Sequence, residues 1–288
     1  MKRISLLILS TFLCACIGNA QETPDYFSIG KYDIIDSAYM KITYLLDSKK
    51  DTTEAMHNKT ESSDTQVLLI GKKGSKYYSQ DVIDYNLQTY AEYIKKGRPY
   101  PRNKPGAYGF EIYKSNGEDK IKATDLGSRL GGNFVYDDNL SDLQWTIINN
   151  SDSVILNYQC QKATCVFRGR NYTAWFTPLI PVSNGPWKFG KLPGLILKIA
   201  DNREHFIFEC IGIQQLRLPE PIKYYKLDYT RTDRLGLLKL YKRYYDDSAA
   251  YDLAVHGTRS LELNSQTGKW EEVQHSRIKF PYNPIELE

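Results

Sequence analysis

The stretch SVILNYQCQKATCVFRGRNYTAWFT, residues 153–177, decides the fold. Short apolar runs rich in β-branched and aromatic residues fill 153–160, 164–168 and 172–177, and the turn signal Gly169 separates the last two. Consecutive short strands joined by tight turns pair antiparallel. Working outward, the same pattern covers 133–136, 143–148, 195–200 and 205–213, with turns expected at Asn150, Gly169 and Asn202. Upstream, 38–46, 65–71, 108–114 and 120–124 also read as strands, and Asn116-Gly117 between the last two tolerates the positive φ angles of a tight hairpin. The period becomes helical in two places. Residues 81–96 place Ile83, Leu87, Tyr90 and Ile94 on one face before Gly97, and 233–247 do the same with Leu235, Leu238 and Tyr245 behind a Thr232 cap. A last hairpin is expected from 260–264 and 269–274. The fold class is therefore α+β and β-dominated: a strongly curved antiparallel sheet or open, barrel-like meander with about two accessory helices.

The first residues, MKRISLLILSTFLCACIGNA, read as a secretory signal peptide over 1–20. Lys2 and Arg3 precede an apolar run too short for the ~20 residues that span a bilayer, and Gly18 and Ala20 supply small side chains for cleavage before Gln21. Leu13-Cys14-Ala15-Cys16 offers a rival ending, a lipid anchor on Cys16. Residues 21–288 contain no low-complexity linker or internal repeat and read as one β-rich domain. The net charge of +4 falls to +2 once Lys2 and Arg3 leave, which is no footprint for nucleic acid. The acid-free run 93–106, with Lys95, Lys96, Arg98, Arg102 and Lys104, reads as a solvated loop, its alternative being a surface for anions. No later stretch reaches transmembrane length.

Cys160, Cys165 and Cys210 would then sit in an oxidising compartment, where cysteines tend to pair. Alternation in HFIFEC, 205–210, points Phe206, Phe208 and Cys210 into the core, while Cys160 follows Leu156 and Tyr158 on one face. Cys160 and Cys165 are an odd number of residues apart and face opposite ways on a continuous strand. A Cys160–Cys210 disulfide is expected, with Cys165 free.

Residues 185–191, GPWKFGK, imitate a phosphate loop. Leu192 stands where Ser or Thr would hold magnesium, Pro193 and Gly194 stand where a helix should open, and 195–200 alternate as a strand. No nucleotide site is expected, because the backbone amides of a helix start are what hold the phosphate. The run WFTPLIPVSNGPWKFGKLPGLILKI, 175–199, instead resembles the signature of the GLPGLI family, exported proteins of Bacteroidetes-type bacteria named for that hexapeptide. Tyr158, Cys160, Lys162 and Ala163, then Arg168, Gly169 and Arg170, then FIFEC at 206–210 and NPIELE at 283–288 follow in that family's order. Lys191 replaces the first glycine of the hexapeptide. The resemblance implies export, a β-rich fold and envelope residence, and it carries no established activity.

Gly185-Pro186 and Pro193-Gly194 mark turns around the large apolar side chains Trp187, Phe189 and Leu192. These residues read as a loop plugging one end of the sheet or, alternatively, as a lip over a ligand. Arg168 and Arg170, with Trp175 nearby in sequence, have the chemistry to clamp a carboxylate or phosphate and stack on a planar group; their alternative role is structural. His57, His205, His256 and His275 fall in no nucleophile or metal motif, so no catalytic residue, metal or cofactor is expected. An enzyme would have to draw on His205 with a free Cys165. The function expected is a non-enzymatic envelope protein, periplasmic or associated with the outer membrane, that binds an apolar or peptide-like ligand on its sheet. The alternatives are a docking subunit partnered with an outer-membrane transport protein, and an enzyme with an unrecognised site. The 23 tyrosines suit surfaces that are half apolar and half wet.

Overall fold

Alternation along the strands builds one large sheet. The computed structural model describes residues 31–50, 52, 61–85, 95, 108–126, 130–257, 259, 261–264, 266–272 and 282–288. The expected signal peptide with Cys14 and Cys16, the residues His57 and His275, and all of the basic run 93–106 except residue 95 lie outside the described residues.

In chain order the strands are β1 (Tyr32–Lys49), β2 (Glu61–Gly71), β3 (Gly74–Ser79), β4 (Phe110–Ser115), β5 (Lys120–Asp125), β6 (Asn133–Asn139), β7 (Thr146–Ile155), β8 (Tyr158–Phe167), β9 (Arg170–Thr177), β10 (Leu195–Asp201), β11 (Phe206–Tyr225) and β12 (Tyr229–Arg231). They form a single 12-stranded sheet in the order β12-β6-β5-β4-β3-β2-β1-β11-β10-β9-β8-β7, open at β12 and β7. Only the short β12 runs parallel to its neighbour, β6. A separate hairpin pairs β13 (Leu261–Leu263) with β14 (Trp270–Glu272), as expected.

One face of the sheet carries the core. Met40, Ile42, Tyr44 and Leu46 alternate inward along β1 and meet Leu68, Tyr77, Ile112, Phe176 and Phe208 from neighbouring strands. The opposite face has a smaller cluster of Ala38, Val67, Leu69 and Ile222. There the buried pair Lys76 and Glu111, 2.6 Å apart, is covered by the far end of β11, whose Lys223 carbonyl accepts from Lys76 Nζ at 3.0 Å.

Three departures from the sequence reading have physical causes. First, β7 runs through Asn150 rather than turning there. The extra residues are absorbed by a register shift between Ile148 and Asp152, and the hairpin turns at Leu156 and Asn157, both at positive φ. Second, Asp233 rather than Thr232 caps α2 (Arg234–Asp246), its carboxylate accepting from Gly236 N at 2.7 Å. Third, the helices number three rather than about two. A helix α1 starts at residue 80, within a residue of expectation, and is described at 80–85 and at 95. An unexpected α3 (Ser248–His256) follows α2 directly: Asp247 accepts from Ala250 N at 2.9 Å, and Gly257 at φ +64 ends the helix.

The expected disulfide is absent among the described residues. Cys160, Cys165 and Cys210 are all buried thiols, so no Cys160–Cys210 bond is formed. Leu156 belongs to the turn rather than to the strand that carries Cys160, yet Cys160 and Cys210 both lie in the core. Along β8 the buried side changes parity between Cys160 and Ala163, which leaves both Cys160 and Cys165 in the core.

Candidate functional site

The segment between β9 and β10, residues 178–194, has almost no regular structure, and its middle, 184–190, is nonetheless buried throughout. An isolated bridge between Asn184 and Gly190 folds it back on itself. Gly194 lets it rejoin the sheet, because a Cβ there would fall 2.2 Å from the Thr177 carbonyl oxygen. Trp187, Phe189 and Leu192 are each at most 2% exposed. Phe189 is ringed by Tyr172, Trp187, Phe167, Trp145 and Phe208, with ring centroids 4.8 to 6.3 Å away. The loop is thus a plug whose aromatic residues complete the core.

Two lysines anchor this plug. Lys114 of β4 donates to Asn184 Oδ1 at 3.0 Å, to the Gly185 carbonyl at 2.9 Å and to the Phe189 carbonyl at 2.5 Å. All three acceptors are neutral, and burial pushes its amine down to about 7. Lys188, inside the plug, is buried between Asp138 of β6, at 2.7 Å, and Glu286 near the C-terminus. Burial alone would lower its affinity for a proton, but Tyr136, Glu286 and Asp138 more than offset this and raise it above the ordinary lysine value. Asp138 shows the reciprocal balance: burial works to raise its carboxyl, and Lys188 and Arg168 hold it below the usual range.

The two arginines singled out in the sequence turn out to hold parts of the chain itself. Arg168 pairs with Asp138 at 3.0 Å and Asp142 at 2.7 Å. Arg170 is buried and donates to Asp201 at 3.1 Å, to Asn283 Oδ1 at 2.7 Å, to the Pro284 carbonyl at 2.6 Å and to the Ile285 carbonyl at 3.1 Å. Arg234 of α2 reaches Glu286 at 3.0 Å. The acidic tail NPIELE is therefore seated among Arg170, Lys188 and Arg234. Trp175 does not join them: Arg170, Tyr172, Ala174 and Phe176 point to the core side of β9, and Trp175 lies on the other side beneath Lys162. His205 is 3.3 Å from Arg170, and burial with nearby cations lowers its affinity for a proton although Asp201 opposes them. Burial pushes the Cys165 thiol up to about 12, so it is a protonated, poor nucleophile at neutral pH.

Between the tail, α2 and the core side of β4–β6 lies a cavity of about 150 Å³. Its walls include Tyr108, Tyr136, Tyr241, Tyr245 and Tyr282, with Ile112 and Leu237, and Trp187 of the plug. Tyr241 donates to Asp125 at 2.5 Å, and Tyr245 stacks on Tyr282 with ring centroids 4.5 Å apart. The cavity tyrosines and Lys188 were not anticipated as site residues. One signal was available: Leu237, Tyr241 and Tyr245 repeat every four residues, which puts aromatic and apolar side chains on one helix face. Nothing comparable marks Lys188, whose carboxylate partners come from distant parts of the chain.

A family model described as "Protein of unknown function (Porph_ging)", a Bacteroidetes-type family, matches residues 165–198. That segment comprises the end of β8, β9, the whole plug and the start of β10. No curated protein matches the chain. Among solved structures, "Structure of PNGF-II in P21 space group" is 14% identical with a TM-score of 0.45, covering 73% of this chain and 34% of its own. The same protein in a C2 space group gives 14%, 0.44, 72% and 33%. "Crystal structure of MucB in complex with MucA(peri)" is 11% identical with a TM-score of 0.27, covering 63% of this chain and 51% of its own. The chain thus spans about a third of the length of the first two structures.

Proposed function

We propose that the chain is an exported, non-enzymatic cell-envelope protein of GLPGLI type that takes a small apolar, ring-sized group into the cavity beneath α2. The observation that carries this reading is the cavity itself, walled by tyrosines and by Trp187 of the signature plug. Its volume of about 150 Å³ decides the size of the guest. A space of that order holds one benzene-like ring, here with Asp125, Arg234 and Glu286 among the lining residues and one side partly open, whereas pockets for drug-sized molecules run to ~300–1,000 Å³. A whole acyl chain is too large, and a single ring or short branched group fits.

Export rests on the signal-like residues 1–20, and residence in the periplasm or at the outer membrane follows from it. Further support for GLPGLI membership is the place of the hexapeptide at 191–196, where the plug joins β10. A strongly curved sheet is supported by connectivity. β6 and β7 lie ten strand steps apart in the sheet order, ~48 Å on a flat sheet. Residues 140–145 that join them reach at most ~25 Å. A single domain over 21–288 is supported by the one large core to which both flanks of the sheet contribute. The docking alternative draws on apolar side chains left in solvent, such as Leu218 at 84% and Ile34 at 61% exposure.

The test is a titration with 4-fluorophenol followed by its ¹⁹F resonance. Saturable binding is expected, at least about tenfold weaker in Leu238→Trp, which fills the cavity from α2. Equal binding by the two proteins would place the ligand elsewhere, and no binding by either would favour the docking alternative.

A further inference from the structure

We propose that the segment Tyr282–Glu288 is a displaceable strap that gates the cavity beneath α2, with Arg170 as the latch that sets how often it opens. This rests on the reading of that cavity as a ligand site. Tyr282, Asn283, Pro284, Ile285 and Glu286 all contribute to its wall. Most of the other walls belong to α2 and to strands β4–β6, whose backbones are tied into a helix or a continuous ladder, and Lys50, Tyr108, Gly109 and the buried Trp187 complete them. The strap differs in kind. Among the described residues, one backbone-to-backbone hydrogen bond holds it, from Leu287 N to the Arg168 carbonyl at 3.0 Å. Its remaining ties are made by side chains, and a segment held in this way opens at lower free energy than one in a ladder.

Those side-chain ties converge on a rigid base. Arg170 is fixed by Asp201 and lies over the Phe206 ring at 4.8 Å, and from there it donates to three consecutive residues of the strap. Asn283 also donates from Nδ2 to the Lys49 carbonyl at 2.6 Å, while Lys188 and Arg234 hold the Glu286 carboxylate. Release of the strap breaks these bonds together and removes Tyr282 from its stack on Tyr245, which uncovers the cavity without any change in the sheet. Arg170 does not line the cavity, so changing it alters the door and leaves the room intact.

The test measures exchange of 4-fluorophenol by ¹⁹F NMR on the full chain and on two variants, Arg170→Lys and Asn283→Ala. Arg170→Lys keeps the charge opposite Asp201 and loses the fork that grips the strap. Exchange about tenfold faster in each variant is expected, the loss of one or two hydrogen bonds. If the ligand binds all three proteins and exchanges at one rate, the gate is overturned and the cavity reading stands. If it binds none, the cavity reading fails and takes the gate with it. Should Arg170→Lys not fold, Ile285→Cys in the chain that begins at Gln21 replaces it, since that chain lacks Cys14 and Cys16 and its Cys160, Cys165 and Cys210 are buried. A bulky maleimide then reports strap opening. Labelling at saturating reagent that keeps pace with ligand exchange supports the gate, and exchange that outruns labelling overturns it.

Discussion

Lys188 and Lys114 grip the same buried loop from opposite sides, yet their environments drive their protonation in opposite directions. Lys188 has two carboxylates, Asp138 and Glu286, and holds its proton more tightly than a lysine in water. Lys114 has three neutral oxygens and holds its proton so loosely that it titrates at about 7. Burial acts against the charged form at both sites, and the charge of the partners decides the outcome. The difference teaches that the plug is fastened twice, once by an ion network insensitive to pH near neutrality and once by a tie that responds to it.

The largest effect is expected on the Lys188 side. Lys188→Met leaves Asp138 and Glu286 buried without their shared cation, and Arg168 and Arg234 compensate only in part. A loss of about 3–5 kcal/mol is expected from urea unfolding, the range for breaking a buried pair from one side. A loss below about 1 kcal/mol would mean that the network relaxes or admits water, and the contrast with Lys114 would then be one of degree.

A smaller, pH-dependent effect is expected at Lys114. Unfolded, its amine keeps an ordinary value near 10.5, while the folded value is about 7. Between those values the unfolded chain binds more protons, so this group makes stability rise with pH above about 7, by at most about 1.4 kcal/mol per pH unit. Cys165 and Cys210, both raised to about 12 by burial, work the other way once unfolded thiols begin to ionise near pH 9. The informative window is therefore pH 7 to 9. Chemical unfolding of the wild type and of Lys114→Met across it should give stabilities whose difference changes with pH. A constant difference would show that Lys114 stays charged in the folded chain and that both lysines are pinned alike.

How far the sequence carried depended on whether the signal was local. Strands β9 and β10 were found because their alternation and turn residues sit within a few positions of one another, whereas β8 was divided between two expected strands, 153–160 and 164–168, and β11 runs on past the expected 205–213 to Tyr225. The loop's prolines and glycines were enough to forbid a phosphate site. The true hairpin at Leu156-Asn157 was missed because Asn150 looked like the better turn residue and the bulge that absorbs it has no composition of its own. The Cys160–Cys210 pairing put both residues in the core, where they lie, but alternation cannot say whether two core-facing thiols are bonded. Arg168 and Arg170 were singled out as a clamp for a ligand's carboxylate or phosphate, with a structural role as the alternative, and the partners they have here belong to the chain itself. That Arg168 meets Asp138 and Asp142, and Arg170 a tail more than a hundred residues away in sequence, is a tertiary fact that spacing cannot encode.

The smallest effect expected concerns Lys191, which lends the loop its resemblance to a phosphate site. Its φ of +66 lies in the left-handed region where a side chain costs about 1–2 kcal/mol and glycine costs almost nothing. The lysine offsets part of that strain by donating to the Leu140 carbonyl at 2.6 Å and pairing with Asp119 at 2.7 Å, but both ends of the ion pair are well exposed. Such pairs contribute about 0–1 kcal/mol. Thermal unfolding should therefore rank Gly at or slightly above Lys at position 191 and Ala lowest, all within about 1–2 kcal/mol, because alanine keeps the strain and loses the contacts. If Lys191→Gly were as damaging as Lys191→Ala, the ties to Leu140 and Asp119 would outweigh the backbone strain. Lys191 would then rank as a third fastening of the plug, beside Lys188 and Lys114.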